Sequence, residues 1–307
     1  MPYWRVMFDE LLSRRGLSLD RLHAFLKVAS AGGIARAVGA DPVRQSQFSR
    51  QIKELETFFG TTLFSRHGKS LDLTPSGERL ARLVRENFGA LQDFHKDCAQ
   101  APVEFVVGAG DSLIHWLVVP RLGELRREFP RVKLRLRNLR SSDIVRGLHE
   151  GRLDFGLVRR DSLTRPLAGS PLGVLDYALF VPRKLLPGGR KRDFAWAVNA
   201  LPVATLSNDG QFDRRLRKLE VDLPTPPAFA LECENFPHAA AALHSGHYAA
   251  ILPRLAATRL DHTVVEIEAP ALNHPRRVIS LGWSPRLLHV RSSADGLRER
   301  LLELLKF

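Results

Sequence analysis

Residues 45–66, QSQFSRQIKELETFFGTTLFSR, decide the fold of the N-terminal third of this chain. Phe48, Ile52, Leu55 and Phe59 recur at spacings of four, three and four, the repeat that places side chains on one buried face of a helix. The opposite face is polar and carries Gln45, Gln47, Ser49, Arg50 and Lys53. Glutamine offers adenine a donor beside an acceptor, while arginine and lysine suit guanine or phosphate, so this face matches duplex DNA. A helix face that is merely solvated is the alternative.

The flanking sequence supplies the other parts of a DNA-binding domain. Residues 19–30 predict a first helix, which a glycine pair ends, and residues 34–39 predict a short second helix. Asp41 and Pro42 have the residue types of an N-cap and a first helical position. Residues 63–73 predict two short strands around a turn with a basic tip, so the whole indicates a winged helix-turn-helix. The residues that we expect to contact DNA are Arg44, Gln45, Ser46, Gln47, Ser49, Arg50, Lys53, Arg66, His67 and Lys69.

This order of elements resembles the N-terminal domain of the LysR-type transcriptional regulators. The residues that carry the resemblance are Phe25, Ala29, Ala37, Ser49-Arg50-Gln51-Ile52, Leu55-Glu56, Phe59-Gly60, Leu63-Phe64, Arg66, Leu73-Thr74-Pro75 and Gly77. The chain departs from the family at residues 44–47, where Ser-Gln followed by Pro or Ser and then Ala is usual, and also at Val38 and Asp41. The resemblance therefore implies the family's fold but not its base specificity.

A long helix is predicted after the wing, over residues 75–98. Its predicted dimerisation seam consists of Leu80, Val84, Asn87, Leu91 and Phe94, with Cys98 continuing the repeat. These residues step by four and three, as in a coiled coil about three heptads long. An amphipathic helix packed on its own domain is the alternative, because an asparagine and a cysteine interrupt the apolar seam. In regulators that the chain resembles, this linker helix joins two DNA-reading domains, since one short helix contacts too few bases for a specific site.

Beyond residue 101 the pattern changes to alternating strands and helices, which predicts a mostly parallel sheet covered by helices on both faces. Two such series, with chain crossings near 177–182 and 263–269, resemble the effector domain of the same family, a periplasmic-binding-protein-like pair of lobes. The residues that carry this resemblance are Pro120, Phe129-Pro130, Gly151-Arg152-Leu153-Asp154, Ser245-Gly246 and Leu252-Pro253.

The predicted fold is an all-α-type winged helix-turn-helix with a long linker helix, followed by an α/β two-lobed domain. The predicted boundaries are 1–18 for an unassigned extension, 19–74 for the DNA-binding domain, 75–100 for the linker and 101–307 for the effector domain. Within the effector domain we expect lobe I at about 101–180 and 265–307, and lobe II at about 181–264.

A cleft between the lobes is the predicted effector site, because ligands of open α/β sheets lie at the carboxyl ends of the strands. The polar residues expected there are Ser112, Ser141, Ser142, Ser207, Asn208 and Asn235. Ser112 and Asn235 precede predicted helices, whose N-terminal N–H groups favour an anion, so we expect a small anionic or polar effector. Helix capping is the alternative role of each residue taken singly.

The charge balance agrees only partly with a DNA-binding protein. The 307 residues carry a formal net charge of +13, yet residues 1–100 hold 15 Lys and Arg against 11 Asp and Glu. Most of the surplus therefore lies in the effector domain, where Arg131, Lys133, Arg135 and Arg137 alternate with apolar residues along one strand. A solvated strand competes there with a contact to bent DNA, an acidic partner or a neighbouring subunit.

Location and redox state follow from what the sequence lacks. The N-terminus has no signal-peptide core and no stretch approaches a membrane span, so we expect a cytoplasmic protein that joins the nucleoid when bound to DNA. The two cysteines, Cys98 and Cys233, are expected to be reduced thiols.

Enzyme classes find little support in the sequence. Gly108-Ala109-Gly110 begins like a dinucleotide fingerprint, but Leu113 occupies the place of the third glycine. The group of Cys233, His238, His244 and His247 does not have the spacing of a zinc site. We therefore expect no enzyme activity, no cofactor and no metal.

The sequence as a whole predicts a transcriptional regulator that binds double-stranded promoter DNA and responds to a small-molecule effector of unknown identity. We expect a homodimer or homotetramer, with RNA polymerase as a further partner and no membrane contact. Two other functions stay open: a ligand-independent architectural DNA-binding protein with a degenerate cleft, and a small-molecule-binding protein or enzyme with an accessory DNA-binding domain.

Overall fold

The computed structural model describes residues 8, 9, 11, 13–67, 70–187, 193–207, 211–222, 229–291 and 293–307. For residues 67, 70, 211, 213 and 219–222 it describes the backbone alone. The chain divides into two compact units, Met1–Ala99 with His149–Arg152, and Gln100–Leu148 with Leu153–Phe307. None of the described helices is long and apolar enough to cross a membrane.

The N-terminal unit is a winged helix-turn-helix followed by a long helix, as the sequence predicts. Its elements are α1 (Leu19–Ala31), α2 (Ile34–Val38), α3 (Pro42–Phe59), β1 (Phe64–His67), β2 (Ser70–Leu73) and α4 (Pro75–Cys98). The strands of the wing are antiparallel, with Phe64 opposite Leu73. The two residues at the tip of the wing, Gly68 and Lys69, lie outside the described part of the chain.

Local sequence sets the ends of these helices. Gly32, at φ 65°, ends α1 in the left-handed conformation that favours glycine. The Asp41 carboxylate accepts hydrogen bonds from the first N–H groups of α3, at 3.0 Å from Val43 N and 3.2 Å from Arg44 N. Asp41 is therefore the predicted N-cap, and Pro42 follows at the first position of the helix.

The core of this unit joins α1, α3, α4 and the wing through Phe25, Leu55, Leu63 and Ala81. Ile52 is buried as expected, but Phe59 is 38% exposed and packs edge-on against Phe58. Phe59 was expected inside because it continues the apolar repeat of α3. The prediction is wrong at that position because the helix ends there and its last turn extends beyond the core.

Lobe I of the effector domain is built on a five-stranded mixed sheet in the order β4-β3-β5-β12-β6. Its strands are β3 (Val103–Ala109), β4 (Val132–Asn138), β5 (Phe155–Arg159), β6 (Ala168–Val174) and β12 (Val278–Trp283). Its helices are α5 (Asp111–Leu113), α6 (Leu122–Glu128), α7 (Ser141–His149), α11 (Pro285–Val290) and α12 (Ala294–Leu304). Between α5 and α6 the chain continues through a π-helical turn, Ile114–Val118, and a 3-10 turn, Val119–Arg121.

Lobe II is built on a second five-stranded mixed sheet in the order β11-β7-β10-β8-β9. Its strands are β7 (Tyr177–Pro182), β8 (Val203–Leu206), β9 (Leu231–Cys233), β10 (Ala249–Pro253) and β11 (Val264–Glu268). Its helices are α8 (Phe194–Ala200), α9 (Gln211–Asp222) and α10 (Phe236–His244).

The sheets differ from the sequence expectation in two respects. Each is mixed rather than mostly parallel, because β12 runs antiparallel to β5 and β6, and β7 runs antiparallel to β10 and β11. The segments predicted as chain crossings, near 177–182 and 263–269, contain the paired strands β7 and β11 of lobe II. The chain instead crosses between the sheets at residues 175–176 and 269–277, so the lobe boundaries move by several residues.

The Gly-Arg-Leu-Asp motif has a structural role in lobe I. Asp154 accepts a hydrogen bond from Val106 N at 2.7 Å and pairs with Arg291 Nη1 at 2.7 Å. Arg291 also donates to the Glu104 carbonyl and lies 4.0 Å from the centroid of the Phe105 ring. Because these charges are almost fully buried, their hydrogen bonds and stacking offset the cost of removing them from water.

Candidate DNA interface and effector cleft

The recognition helix α3 presents a polar surface that begins at its first turn. Arg44, Ser46, Gln47, Arg50 and Lys53 are exposed. Arg50 lies 3.5 Å from Glu54 along its own helix and remains 79% exposed, so the ion pair leaves the guanidinium accessible to DNA. Ser49 is half-buried.

Gln45 differs from the other predicted contacts because it has a partner inside the domain. Its side-chain amide donates to the Gly39 carbonyl at 2.7 Å, across the turn between α2 and α3. This bond holds the turn of the helix-turn-helix. The structure therefore places Gln45 in a supporting position, whereas Gln47, two residues later, is exposed.

Val43 is a candidate DNA contact that the sequence reasoning missed. It stands in the first turn of α3 and is 77% exposed, the largest exposed fraction among the large apolar residues of the described chain. In helix-turn-helix proteins the N-terminal residues of the recognition helix contact base edges, and apolar side chains contact the thymine methyl group. The sequence does contain a signal for this contact, because Val43 directly follows the N-cap Asp41 and Pro42, the first residue of α3.

Of the three basic wing residues that we expect to contact DNA, Arg66 is the one whose side chain the structure describes. Arg66, in β1, is exposed. Of the other two predicted wing contacts, the side chain of His67 and the whole of Lys69 lie outside the described residues.

Gln47→Ala is expected to reduce discrimination at particular base pairs by about 1 to 3 kcal/mol, the value of one bidentate base contact. Gln45→Ala is the matched control, since it removes the same functional group from the same helix. That variant is expected to lose about 1 kcal/mol of stability with unchanged base preference, because its bond is to Gly39. Binding titrations against a panel of single-base variants of the DNA site separate the two. An unchanged preference for Gln47→Ala contradicts base reading by this residue.

The linker helix α4 exposes three residues of the predicted seam, Asn87, Leu91 and Phe94, but not the other two. Val84 is only 4% exposed and Leu80 packs against the core of the N-terminal unit, so neither is available to a second chain. Leu83, Leu91 and Phe94 are 45%, 56% and 69% exposed. These residues, together with the exposed Asn87, form what we call the exposed stripe. The correction arises because one side of α4 contacts its own unit, and periodicity alone does not distinguish that side from a dimer face.

The effector candidates lie at the predicted edges of the two sheets. Ser112 follows β3, Ser141 and Ser142 follow β4, Ser207 follows β8 and Asn235 follows β9. The edges face one another, because Phe236 N of lobe II donates to Asp111 Oδ2 of lobe I at 3.0 Å. Ser112 is 7% exposed and Ser142 is exposed, while Asn208 lies outside the described residues.

Aromatic side chains fill the part of the cleft that the sequence did not describe. Tyr177 stands at the start of β7, with its ring centroid 4.8 Å from that of Phe212 and 5.5 Å from that of Phe236. Phe212 and Phe236 also contact each other edge to face, at 5.1 Å. All three are at least 95% buried, so they form an apolar floor where the lobes meet.

Two arginines surround this aromatic cluster. Arg277 is buried and lies 4.8 Å from the centroid of the Tyr177 ring. Arg215 donates to the carbonyls of Leu272 and Pro275 at 3.0 and 2.7 Å, which ties α9 to the second crossing segment. Burial raises the pKa of the Tyr177 phenol and the nearby Arg277 opposes that shift, so the phenol stays protonated at neutral pH. Desolvation, followed by repulsion from Arg277, lowers the pKa of Arg215.

A cavity of about 240 Å³ lies beside the crossing segments, and it is separate from the predicted effector residues. The cavity is lined by the charged residues Asp176, Arg254, Glu266, Glu268 and Arg276, and by His274. No group of three or more His, Cys, Asp or Glu side chains in the described ranges is arranged to hold a metal ion.

Asn235 caps a helix, which was the alternative to effector binding for this residue. Its side-chain oxygen accepts from His238 N at 2.9 Å, which caps α10. Ser207 holds its place through a bond from its backbone N to the Cys233 carbonyl at 2.9 Å. Asp111, which the sequence reasoning did not select, joins the two lobes at this edge through its bond from Phe236 N.

Comparison with known families and structures identifies this architecture. Residues 19–78 match the bacterial regulatory helix-turn-helix protein, lysR family, and residues 100–305 match the LysR substrate binding domain. The chain belongs to the LysR family. It is a DNA-binding transcriptional regulator with an effector-binding domain.

One relative of this LysR-type regulator matches it over most of its length. A probable nitrogen assimilation transcriptional activator of Synechococcus elongatus is 26% identical over 285 residues, which cover 88% of this chain and 86% of that protein. A full-length OxyR variant from Pseudomonas aeruginosa has a TM-score of 0.61 at 20% identity, covering 92% of this chain and 95% of the other. LysG from Corynebacterium glutamicum with bound effector Arg has a TM-score of 0.58 at 17% identity, covering 91% and 98%. At these identities the two structures establish the fold alone.

Proposed function

We propose that this LysR-type regulator reads a promoter site as a homodimer or a dimer of dimers, with α3 in the major groove and β1–β2 against the phosphates. The observation that carries the proposal is the division of α3 into two faces. Ile52 and Leu55 fix the helix to the core, while Val43, Gln47 and Arg50 remain exposed. Base contacts from the first turns would select the sequence, and Arg50, Lys53 and the wing would position the domain on the backbone.

Dimerisation is proposed to use the exposed stripe of α4. Leu83, Leu91 and Phe94 are large apolar residues on one helix face, and a stripe of this kind is stabilised by burial against its copy. Asn87 lies between them, with its side-chain amide bonded to the Leu83 carbonyl at 2.8 Å. Two recognition helices held at a fixed spacing read two half-sites, which gives the length of contact that one helix lacks.

The cleft between the lobes is proposed to bind a small-molecule effector, with Ser112, Ser141, Ser142 and Ser207 as polar contacts near the aromatic floor. The aromatic side chains and the enclosing arginines support a ligand with an apolar body and a polar or charged group. RNA polymerase is proposed as the partner through which a ligand-dependent change of promoter contacts alters transcription. The regulator is expected to act in the cytoplasm and on the nucleoid.

Footprinting of the DNA next to this protein's own coding region, with and without a panel of metabolites, tests the proposal. A protected site with two related halves is expected, and one metabolite class should change its extent. Absence of any protected site over that region, with intact folded protein, contradicts the proposed function.

A ligand-independent DNA-binding protein is the second candidate, and one observation favours it. The polar groups at the α10 edge of the cleft are bonded to each other, and the aromatic rings are packed together, so this part of the cleft is satisfied without a ligand. Calorimetry against the same metabolite panel separates the candidates: binding with a changed footprint supports the first, and a footprint that no metabolite changes supports the second.

Arg66→Ala is expected to weaken binding to all DNA sequences alike and to reduce the slope of log affinity against log salt by about one unit, since one lost phosphate contact releases about one fewer counterion. The same change at Arg146, an exposed arginine of α7 in the effector domain, is the control. Affinity measured at several salt concentrations gives the slope. Equal slopes for wild type and Arg66→Ala would place the wing away from the phosphates.

A further inference from the structure

We propose that Asp111 is a built-in latch of the effector cleft, whose carboxylate takes the place at the α10 N-terminus that a ligand's anionic group would otherwise occupy. The inference rests on the two-lobed cleft of the proposed function. In this proposal the Asp111 carboxylate competes with the effector, since an acidic effector must displace Asp111 before it reaches α10.

The hydrogen bonds at the start of α10 are the basis for the latch. Phe236 N donates to Asp111 Oδ2 at 3.0 Å, and His238 N donates to Asn235 Oδ1 at 2.9 Å. Pro237, between them, has no N–H. All three leading positions of the helix are therefore satisfied or lack a donor, and an anion gains a bond there only by replacing a side chain.

Asp111 is fixed on the lobe I side by its position in the chain. It is the first residue of α5, directly after Gly110, and it follows the carboxyl end of β3. The neighbouring Ser112 and Leu113 are buried, which anchors the backbone beneath the carboxylate. The Asp111 bond to Phe236 thus joins two rigid elements, one from each lobe.

The electrostatics of the latch favour a charged carboxylate over a neutral group. The N-terminus of an α-helix carries a partial positive charge, and bonds from its N–H groups to an anion are charge-assisted. The Phe236 ring also packs on Tyr177 and Phe212, so the residue that donates to Asp111 is itself fixed within lobe II. The latch therefore stabilises closed lobes in the absence of any ligand.

A distance measurement between the lobes tests the latch directly. Spin labels are attached to the new cysteines of a Glu299→Cys, Asn199→Cys variant, one in α12 of lobe I and one in α8 of lobe II. The labelled variant is the full chain with Cys98→Ser and Cys233→Ala. The labelled protein is diluted into unlabelled protein so that each distance lies within one chain. Asp111→Ala is expected to shift the population toward longer distances, with the closed-to-open ratio reduced about tenfold.

Acetate supplies the missing carboxylate as a free molecule, so it is the probe. In Asp111→Ala, acetate is expected to restore the shorter distance, while chloride at the same ionic strength leaves it long. Asp111→Asn, which preserves the side-chain shape, is expected to give an intermediate ratio. Asp143→Ala is the control, because that aspartate pairs with Arg146 inside α7. It is expected to leave the distances unchanged.

Two results would overturn the latch. The first is an Asp111→Ala or Asp111→Asn protein, shown to be folded by its unfolding transition, with the distances of the wild type. The second is an opened Asp111→Ala protein that responds equally to acetate and chloride. Neither measurement requires DNA or an effector. Loss of the promoter footprint would therefore remove the proposed function without affecting the latch, and unchanged distances would remove the latch while the footprint remained.

Discussion

Leu91→Asp is expected to convert the oligomer into monomers and to abolish specific DNA binding. Leu91 is 56% exposed in the single chain, at the middle of the exposed stripe. Burying a leucine is worth about 1.5 to 3 kcal/mol, and a symmetric dimer loses this contribution from both chains, so dimerisation should weaken about a hundredfold or more. The added carboxylates would also lie buried without partners. Sedimentation velocity gives the oligomeric state, and footprinting gives the loss of the site.

Gln92→Asp is the matched control for this prediction. It introduces the same side chain one residue later on the same helix, at an exposed position outside the stripe. It is expected to remain a dimer with an intact footprint. If Leu91→Asp also remains dimeric, the stripe is not the dimer contact.

Gly77→Ala is expected to destabilise the N-terminal unit by about 3 kcal/mol or more, toward the upper end of what overpacking a core costs. Gly77 lies in the first turn of α4, and a Cβ atom there would stand 2.1 Å from the Leu63 carbonyl oxygen. That carbonyl is held in place because it accepts from Thr74 N at 3.0 Å, and Gly77 N itself donates to Thr74 Oγ1. Neither backbone can move without losing a bond. Chemical denaturation of the full chain measures the effect.

Gly89→Ala provides the opposite expectation from the same helix. A Cβ atom at Gly89 meets nothing within 4 Å, so the variant should be more stable by about 0.5 to 1 kcal/mol through helix propensity alone. A Gly77→Ala protein as stable as the Gly89→Ala protein would contradict the close approach of α4 to residue 63.

The predictions from sequence that held are those that depend on contacts between residues close together in the chain. The end of α1 is set by Gly32, and the start of α3 by Asp41 and Pro42. Each acts through bonds or backbone angles within four residues, so the sequence predicts its role. The order of helices and wing, and the family, follow from such local signals. The alternation of strands and helices likewise predicts a two-lobed domain, although not the antiparallel strands that complete each sheet.

Which neighbours a side chain contacts is harder to predict from sequence than where a helix ends. Gln45 and Gln47 have the same chemistry and lie two residues apart, yet only Gln45 reaches the Gly39 carbonyl. Leu83 and Val84 are adjacent, and the buried one was assigned to the dimer seam. A helical repeat identifies apolar positions but does not say which neighbour covers them.

The amino-acid sequence by itself determined the elements of this protein and its membership of the LysR family, because caps, turns and apolar repeats act over a few residues. The tertiary structure alone decided the composition of the cleft. Asp111 and Phe236 are 125 residues apart, and their bond exists only when two lobes fold and meet. Tyr177, Phe212 and Phe236 come from three separate elements of lobe II, and their rings meet only when that lobe folds. Contacts between such distant residues depend on the packing of whole sheets, which no local pattern of residues encodes.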